Sequence, residues 1–210
     1  MIPATCRCST VMLNCIYPTN EGEKGGNKMA ILETEKRLKR CCFTGHRPEK
    51  LGVSENFICQ KIDMAVDLAL GKGILTFICG MARGVDLWAG EIVLQKKKSC
   101  PEINLVCATP FIGFERRWNS HWQALYSLIA SHADYKVAIS SQYDRGCFQR
   151  RNEWMVAHSG LVIAAYNGES GGTRNTIAYA RQCGIPVHNV LDQICSSPRR
   201  RRFTRPARIP

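Results

Sequence analysis

The sequence predicts an α/β fold, with a mainly parallel sheet of about six strands and helices on both faces. Three patterns in its 210 residues lead there. Short apolar runs alternate with amphipathic stretches, the signature of strand–helix–strand units joined by right-handed crossovers. Glycine and proline punctuate the junctions. Glycine-rich loops follow three of the apolar runs, where ligands bind in such sheets.

Arg40–Thr44 reads as the first strand, with Gly45-His46-Arg47-Pro48 as a loop. Ser54 is a candidate N-cap for a helix reaching Leu70. In that helix Phe57, Ile58, Ile62, Ala65, Val66 and Ala69 recur at helical spacing, and Gly71 and Gly73 end it. Leu75–Cys79 is the second strand. Val85–Lys97 is a helix closing on three lysines that suit the negative end of its dipole. Ile103–Ala108 is a third strand, closed by Thr109-Pro110. A helix over Phe114–Ser131 follows, with Trp118, Trp122 and Leu125 on one side, read as core packing rather than base stacking. Tyr135–Ile139, Leu161–Tyr166 and Ile185–Val190 complete the strands. Cys147–His158 and Thr173–Cys183 complete the helices.

Composition narrows the class. Hydrophobic content of 45% and charged content of 22% are ordinary for a globular chain. No apolar run approaches the roughly 18 residues of a membrane helix, so a cytoplasmic protein without membrane contact is expected. The net charge of +12 is unevenly placed: residues 41–195 carry 16 Lys/Arg and 13 Asp/Glu, and the ends carry most of the excess. Six arginines (Arg199 to Arg202, Arg205, Arg208) fill the last fifteen residues. Nucleic-acid contact is therefore expected only through a basic, disordered tail, 196–210.

The twelve cysteines form no CxxC pair. Cys42, Cys79 and Cys107 sit in strand-like runs as small hydrophobes, which predicts reduced thiols and no metal site. Cys6, Cys8 and Cys15 lack a partner histidine and standard zinc spacing. Residues 1–39 read as an extension ahead of a 40–195 domain. Within it, Met29 follows Lys24-Gly25-Gly26, residues that a ribosome-binding sequence would encode. Translation from Met29, with 1–28 not native, is the expectation.

The chemistry gathers at the strand ends. Asn167, Gly168, Glu169, Ser170, Gly171 and Gly172 lead straight into a helix. Small residues let backbone approach a ligand, and the helix's first free N–H groups favour an anion. Thr173 adds a hydroxyl and Arg174 a cation. After the second strand come Gly80, Met81, Ala82, Arg83, Gly84, Val85 and Asp86. Asp86 is read either as a partner for a ribose hydroxyl or as a charge favouring the helix dipole, and Arg83 either as a phosphate contact or as a solvated charge. Thr44, Gly45, His46 and Arg47 end the first strand. His46 has no nucleophile near it in sequence and reads as a hydrogen-bonding residue. Of Arg150 and Arg151, one is expected to face the site and the other solvent, with Met155 in the core.

The segments CCFTGHRPEKL, FICGMARGVDLWAGE, ATPFIGFERRW, CFQRRNEWMV and VIAAYNGESGGTRNTIAYA, in this order, resemble the YpsA-like family of the SLOG superfamily. That superfamily also holds the DNA-processing protein DprA and the LOG, or lysine-decarboxylase-like, cytokinin-activating enzymes. The resemblance spans Arg40 to Val190. It implies a Rossmann-like three-layer sandwich that binds a nucleotide-derived ligand related to NAD or ADP-ribose, in a sensor or regulatory role. It places Arg151 and Gly171-Gly172-Thr173 where LOG enzymes keep their substrate arginine and phosphate loop. Two alternatives accompany it: a LOG-type nucleotide N-glycosidase (phosphoribohydrolase), and DprA-like binding of single-stranded DNA. The chain departs from LOG enzymes in lacking a carboxylate between Thr173 and Asp192, and in having Ala157 where they carry a glutamate. Asp86, Glu91 and Glu153 remain as substitute catalytic candidates, because N-glycosidic cleavage calls for a carboxylate near the ribose. No cofactor beyond that ligand is expected. A homo-oligomer is an open alternative to a monomer.

Overall fold

A computed structural model of the chain describes residues 33–192. The expectations for 1–28, for Cys6, Cys8 and Cys15, and for the tail 196–210 lie outside the described residues. The elements run β1 (Arg40–Gly45), α1 (Pro48–Leu51), α2 (Glu55–Gly71), β2 (Thr76–Cys79), α3 (Val85–Ser99), β3 (Asn104–Phe111), α4 (Ser120–His132), β4 (Tyr135–Ser140), α5 (Cys147–Ala157), β5 (Leu161–Ala165), α6 (Gly172–Gln182) and β6 (Val187–Asn189). Residues 33–38, inside the segment read as an extension, are helical. They are tied to β1 by Glu33, whose Oε1 lies 2.7 Å from Arg40 Nη1.

All six strands are parallel, in the order β4-β3-β2-β1-β5-β6. This is a Rossmann-like three-layer α/β sandwich. The period-2 alternation of the strands divides its core. Cys41, Phe43, Phe77, Cys79, Leu105, Cys107, Ile163 and Ala165 face one layer with α2 and α3. Cys42, Ile78, Val106, Ala108 and Val162 face the other, with Met155 and Val156 of α5 and Ala180 of α6. Both faces are buried, so the strands read as continuous apolar runs. Cys42, Cys79 and Cys107 are reduced thiols buried in the sheet. Among the described residues no helix is long and apolar enough to cross a membrane.

Three further differences from the sequence reading exceed two residues, each for a local reason. The helix expected from Phe114 begins at Ser120, because the Asn119 side chain caps it by accepting from the Trp122 amide at 3.1 Å. Residues 112–117 are turns, with Gly113 at φ +81°. Trp118 accordingly lies off the helix, but it still packs on the core beside Phe114 and Tyr126. β3 runs on through Thr109-Pro110 to Phe111. The Leu105 carbonyl accepts from Asp134 on the β4 side, so even-numbered residues of β3 turn toward β2. Pairing with β2 ends at Cys107, and Pro110 therefore removes no ladder bond. Finally, the loop after β1 contains the short helix α1, started by Pro48 at a position where proline's missing N–H costs nothing.

Asp134 joins β3 to β4. Its amide donates to Leu105 O at 3.0 Å and its Oδ2 accepts from Leu105 N at 2.8 Å. Burial opposes its charge, yet its ion pair with Lys97 and the Leu105 amide hold its carboxyl below the ordinary carboxylate range. A carboxylate with a lowered folded pKa stabilises fully above its unfolded pKa, and that contribution is lost as pH falls through the folded value. Asp134→Ala is expected to cost about 1–2 kcal/mol at neutral pH. Urea unfolding of both proteins at pH 7 and pH 3 should show the difference shrinking at the acid end.

Candidate functional site

The strand order reverses at β1. The chain moves outward from β1 through β4, then returns to place β5 on the other side of β1. The loops after β1 and β5 therefore part at their carboxyl ends and leave a crevice. A cavity of about 370 Å³ lies there.

Three glycines bring its walls together. A Cβ on Gly45 would stand 2.4–2.6 Å from the side chain of Val85, so the end of β1 can meet α3 only without one. Gly84, at φ +87°, passes Pro48 where a Cβ would lie 2.7 Å from its Cδ. Gly80 gives its carbonyl to Arg151 Nη1, and a Cβ there would fall 2.3 Å from that nitrogen and 2.6 Å from Asp86 Oδ2.

Beneath the cavity, Asp86 and Arg151 form a buried pair. Asp86 Oδ2 lies 3.6 Å from Arg151 Nη1 and accepts from the Ala82 amide at 3.2 Å. Burial pushes the Asp86 carboxyl up, and Arg151 and the Ala82 amide pull it back toward the charged form. Met81 is completely buried in the left-handed region at φ +62°, the only described non-glycine residue there. Its amide donates to Cys79 Sγ, which in turn donates to the Asp86 carbonyl at 3.0 Å. Such backbone strain persists where the surroundings over-determine it.

His46 is buried against Tyr166, with ring centroids 5.3 Å apart, and its amide donates to Ala165 O at 3.2 Å. Burial lowers its pKa, so the ring is neutral at pH 7. Among the described residues its Nε2 has no hydrogen-bond partner. Asn167 ties the loop after β5 to α1, donating to the Lys50 carbonyl at 2.6 Å and accepting from the Glu169 amide at 3.1 Å.

The opposite wall is the start of α6. Gly171, at φ +146°, caps it without a side-chain hydrogen bond, and its first turn holds no acidic residue. Thr173 is buried there. The lining brings four cations, Arg47, Lys50, Arg83 and Arg151, against the single carboxylate of Asp86. Arg83 also reaches the exposed Glu49 at 3.7 Å. Open helix amides under an excess of cations suit an anion.

Of the residues singled out from sequence, Thr44, Gly45, His46, Arg47, Arg83, Asp86, Arg151, Gly171, Gly172 and Thr173 line the cavity. Gly80, Met81 and Gly84 shape it from behind, Asn167 braces a loop, and Arg174 is exposed outside it. Glu153 bonds Gln149 along α5 and is not part of the lining. Arg150 is the solvent arginine of its pair, bound to Asp144 and Ser140. Lys50, Phe148 and Asn152 were missed. Lys50 sits on the unforeseen α1. Phe148 and Asn152 share a helical face with Arg151 and Met155, a spacing that could have found them. Among the described residues no group of His, Cys, Asp and Glu is placed to hold a metal ion.

This crevice, with its glycine-lined strand ends and uncapped helix start, belongs to a Rossmann-like domain of the SLOG kind. A model of the YpsA family (YspA SLOG family) matches residues 41–183, and the chain belongs to that family. A UPF0398 protein of Staphylococcus epidermidis is 32% identical over 140 residues, covering 63% of this chain and 74% of that protein. A UPF0398 protein of Levilactobacillus brevis is 32% identical over 143 residues, covering 64% and 76%. Among solved structures, DNA processing protein A of Helicobacter pylori, described for its single-stranded DNA binding mode, superposes with a TM-score of 0.52 at 17% identity, covering 78% of this chain and 74% of that one. DprA of Streptococcus pneumoniae gives 0.51 at 17%, covering 76% of this chain and about half, 54%, of its own. At that identity the two structures establish the shared fold.

Removing one member of a buried pair leaves an uncompensated charge. Arg151→Met is expected to cost about 3–5 kcal/mol. Adding Asp86→Leu should recover part of that loss, which a double-mutant cycle in urea would measure.

Proposed function

We propose that the cavity binds a nucleotide-derived ligand of the NAD or ADP-ribose kind, and that the protein serves as a sensor or regulatory module. The observation that carries this reading is the start of α6: open amides, no acid in the first turn, and Arg47 and Lys50 facing the same space. The volume of about 370 Å³ falls in the usual range for small-molecule sites. Asp86, the single carboxylate of the lining, is engaged by Arg151 and the Ala82 amide, which favours binding over N-glycosidic cleavage. The near-balanced charge of residues 41–195 favours a small anion over a DNA backbone.

The test is a thermal-shift screen of the full chain against NAD, ADP-ribose, AMP, cyclic nucleotides and a single-stranded oligonucleotide. A ligand at a hundred times its Kd should stabilise by about 2.7 kcal/mol. Gly172→Asp places a carboxylate where the anion would sit, while suiting the helix dipole by about 0.3–1 kcal/mol. The variant should therefore keep its own melting temperature and lose the ligand's shift. Release of free base from AMP would favour the enzyme instead. A response to the oligonucleotide alone, falling with salt, would favour the DNA reading.

A further inference from the structure

The cavity has a second chemical end that the anion does not use. Along α5 the residues facing it run from floor to rim: Met155 is 1% exposed, Arg151 5% and Phe148 41%. Phe148 is a large apolar side chain left in water among the residues that line the cavity. Its ring is held by two near-perpendicular neighbours, Phe111 at 6.1 Å and 83° and Phe114 at 6.5 Å and 72°. Tyr143 packs on Phe111 at 5.7 Å. A ring so braced is pre-organised to receive another ring at little cost in side-chain entropy.

Spacing links this ring to the anion end. The Cβ position of Gly172 lies 3.8 Å from Asn152 Nδ2, so the start of α6 meets α5 at Asn152. Phe148 is four residues earlier on the same face, roughly 6 Å along the helix axis. A phosphate at α6 would thus be separated from Phe148 by about the width of a sugar, with the Asn152 amide beside that sugar. We infer that Phe148 is the stacking platform for a planar aromatic base, so that the site selects a base-bearing nucleotide over a bare sugar phosphate. This rests on the nucleotide reading above and names the residue that sets its specificity.

Titration of the full chain with AMP, ADP-ribose and ribose 5-phosphate tests it, with Phe148→Ala and Phe148→Trp beside the wild type. Stacking of one base on an aromatic side chain corresponds to a loss of roughly 5- to 150-fold on truncation to alanine. Phe148→Ala should weaken AMP and ADP-ribose by that factor and leave ribose 5-phosphate unchanged. Phe148→Trp should hold AMP within a few-fold of the wild type, a comparison that needs no base-free probe. The inference is overturned if Phe148→Ala leaves AMP unchanged, if it weakens AMP and ribose 5-phosphate equally, or if the tryptophan variant loses AMP as the alanine variant does. A wild-type protein that binds ribose 5-phosphate but gains nothing from the base also overturns it and leaves the anion site standing. One that binds none of these, nor any nucleotide of the screen, overturns the nucleotide reading itself.

Discussion

The carboxyl edge of the sheet is organised around one buried ion pair. Arg151 comes from α5, on one face of the sheet, and Asp86 from α3, on the other. They meet over the Gly80 carbonyl at the end of β2. Both side chains are almost fully buried, so each charge needs the other, and the need fixes the position of three elements at once. The left-handed turn at Met81 and the absence of a side chain at Gly80 are the local consequences.

The rest of the cavity follows from that fixed point. Gly45 lets α3 lie against β1 through Val85, and the loop after β1 carries α1 and its lysine into the cavity lining. The return crossover puts β5 beside β1, so the start of α6 faces the same space from the other side. Of the lining's cations, Arg151 is paired with Asp86 and Arg83 reaches Glu49, which leaves Arg47 and Lys50 in the same lining as the uncapped helix start. The charge that matters is therefore local. It comes from residues within 41–195, whereas the ends of the sequence carry most of the net charge of +12.

The strands and long helices were legible because their signals are local. The Ser54 cap is realised, its side chain accepting from Phe57 N, and the apolar spacing of α2 buries Ile58, Ile62, Ala65, Val66 and Ala69 as the period requires. The start of α4 was misplaced because Trp118 and Phe114 continue an apolar pattern while Asn119, a strong cap, interrupts the backbone. Apolar spacing records burial, and a turn packed on the core is buried as well as a helix is.

Read alone, the sequence determined the α/β class, the sheet of parallel strands and the three loops where ligand chemistry would gather, because periodicity and glycine punctuation are properties of neighbouring residues. It left open which of Arg150 and Arg151 faces inward, and whether Asp86 serves a ligand or the helix. Tertiary structure turns Arg151 inward and gives Asp86 a partner that neither reading named, Arg151 itself, since a buried charge is settled by what lies across the sheet from it, 65 positions away in the chain. It also brought Asn152 beside Gly172, with Phe148 in the same lining; the shared face on α5 is legible from spacing, but its meeting with α6 is created by strand order.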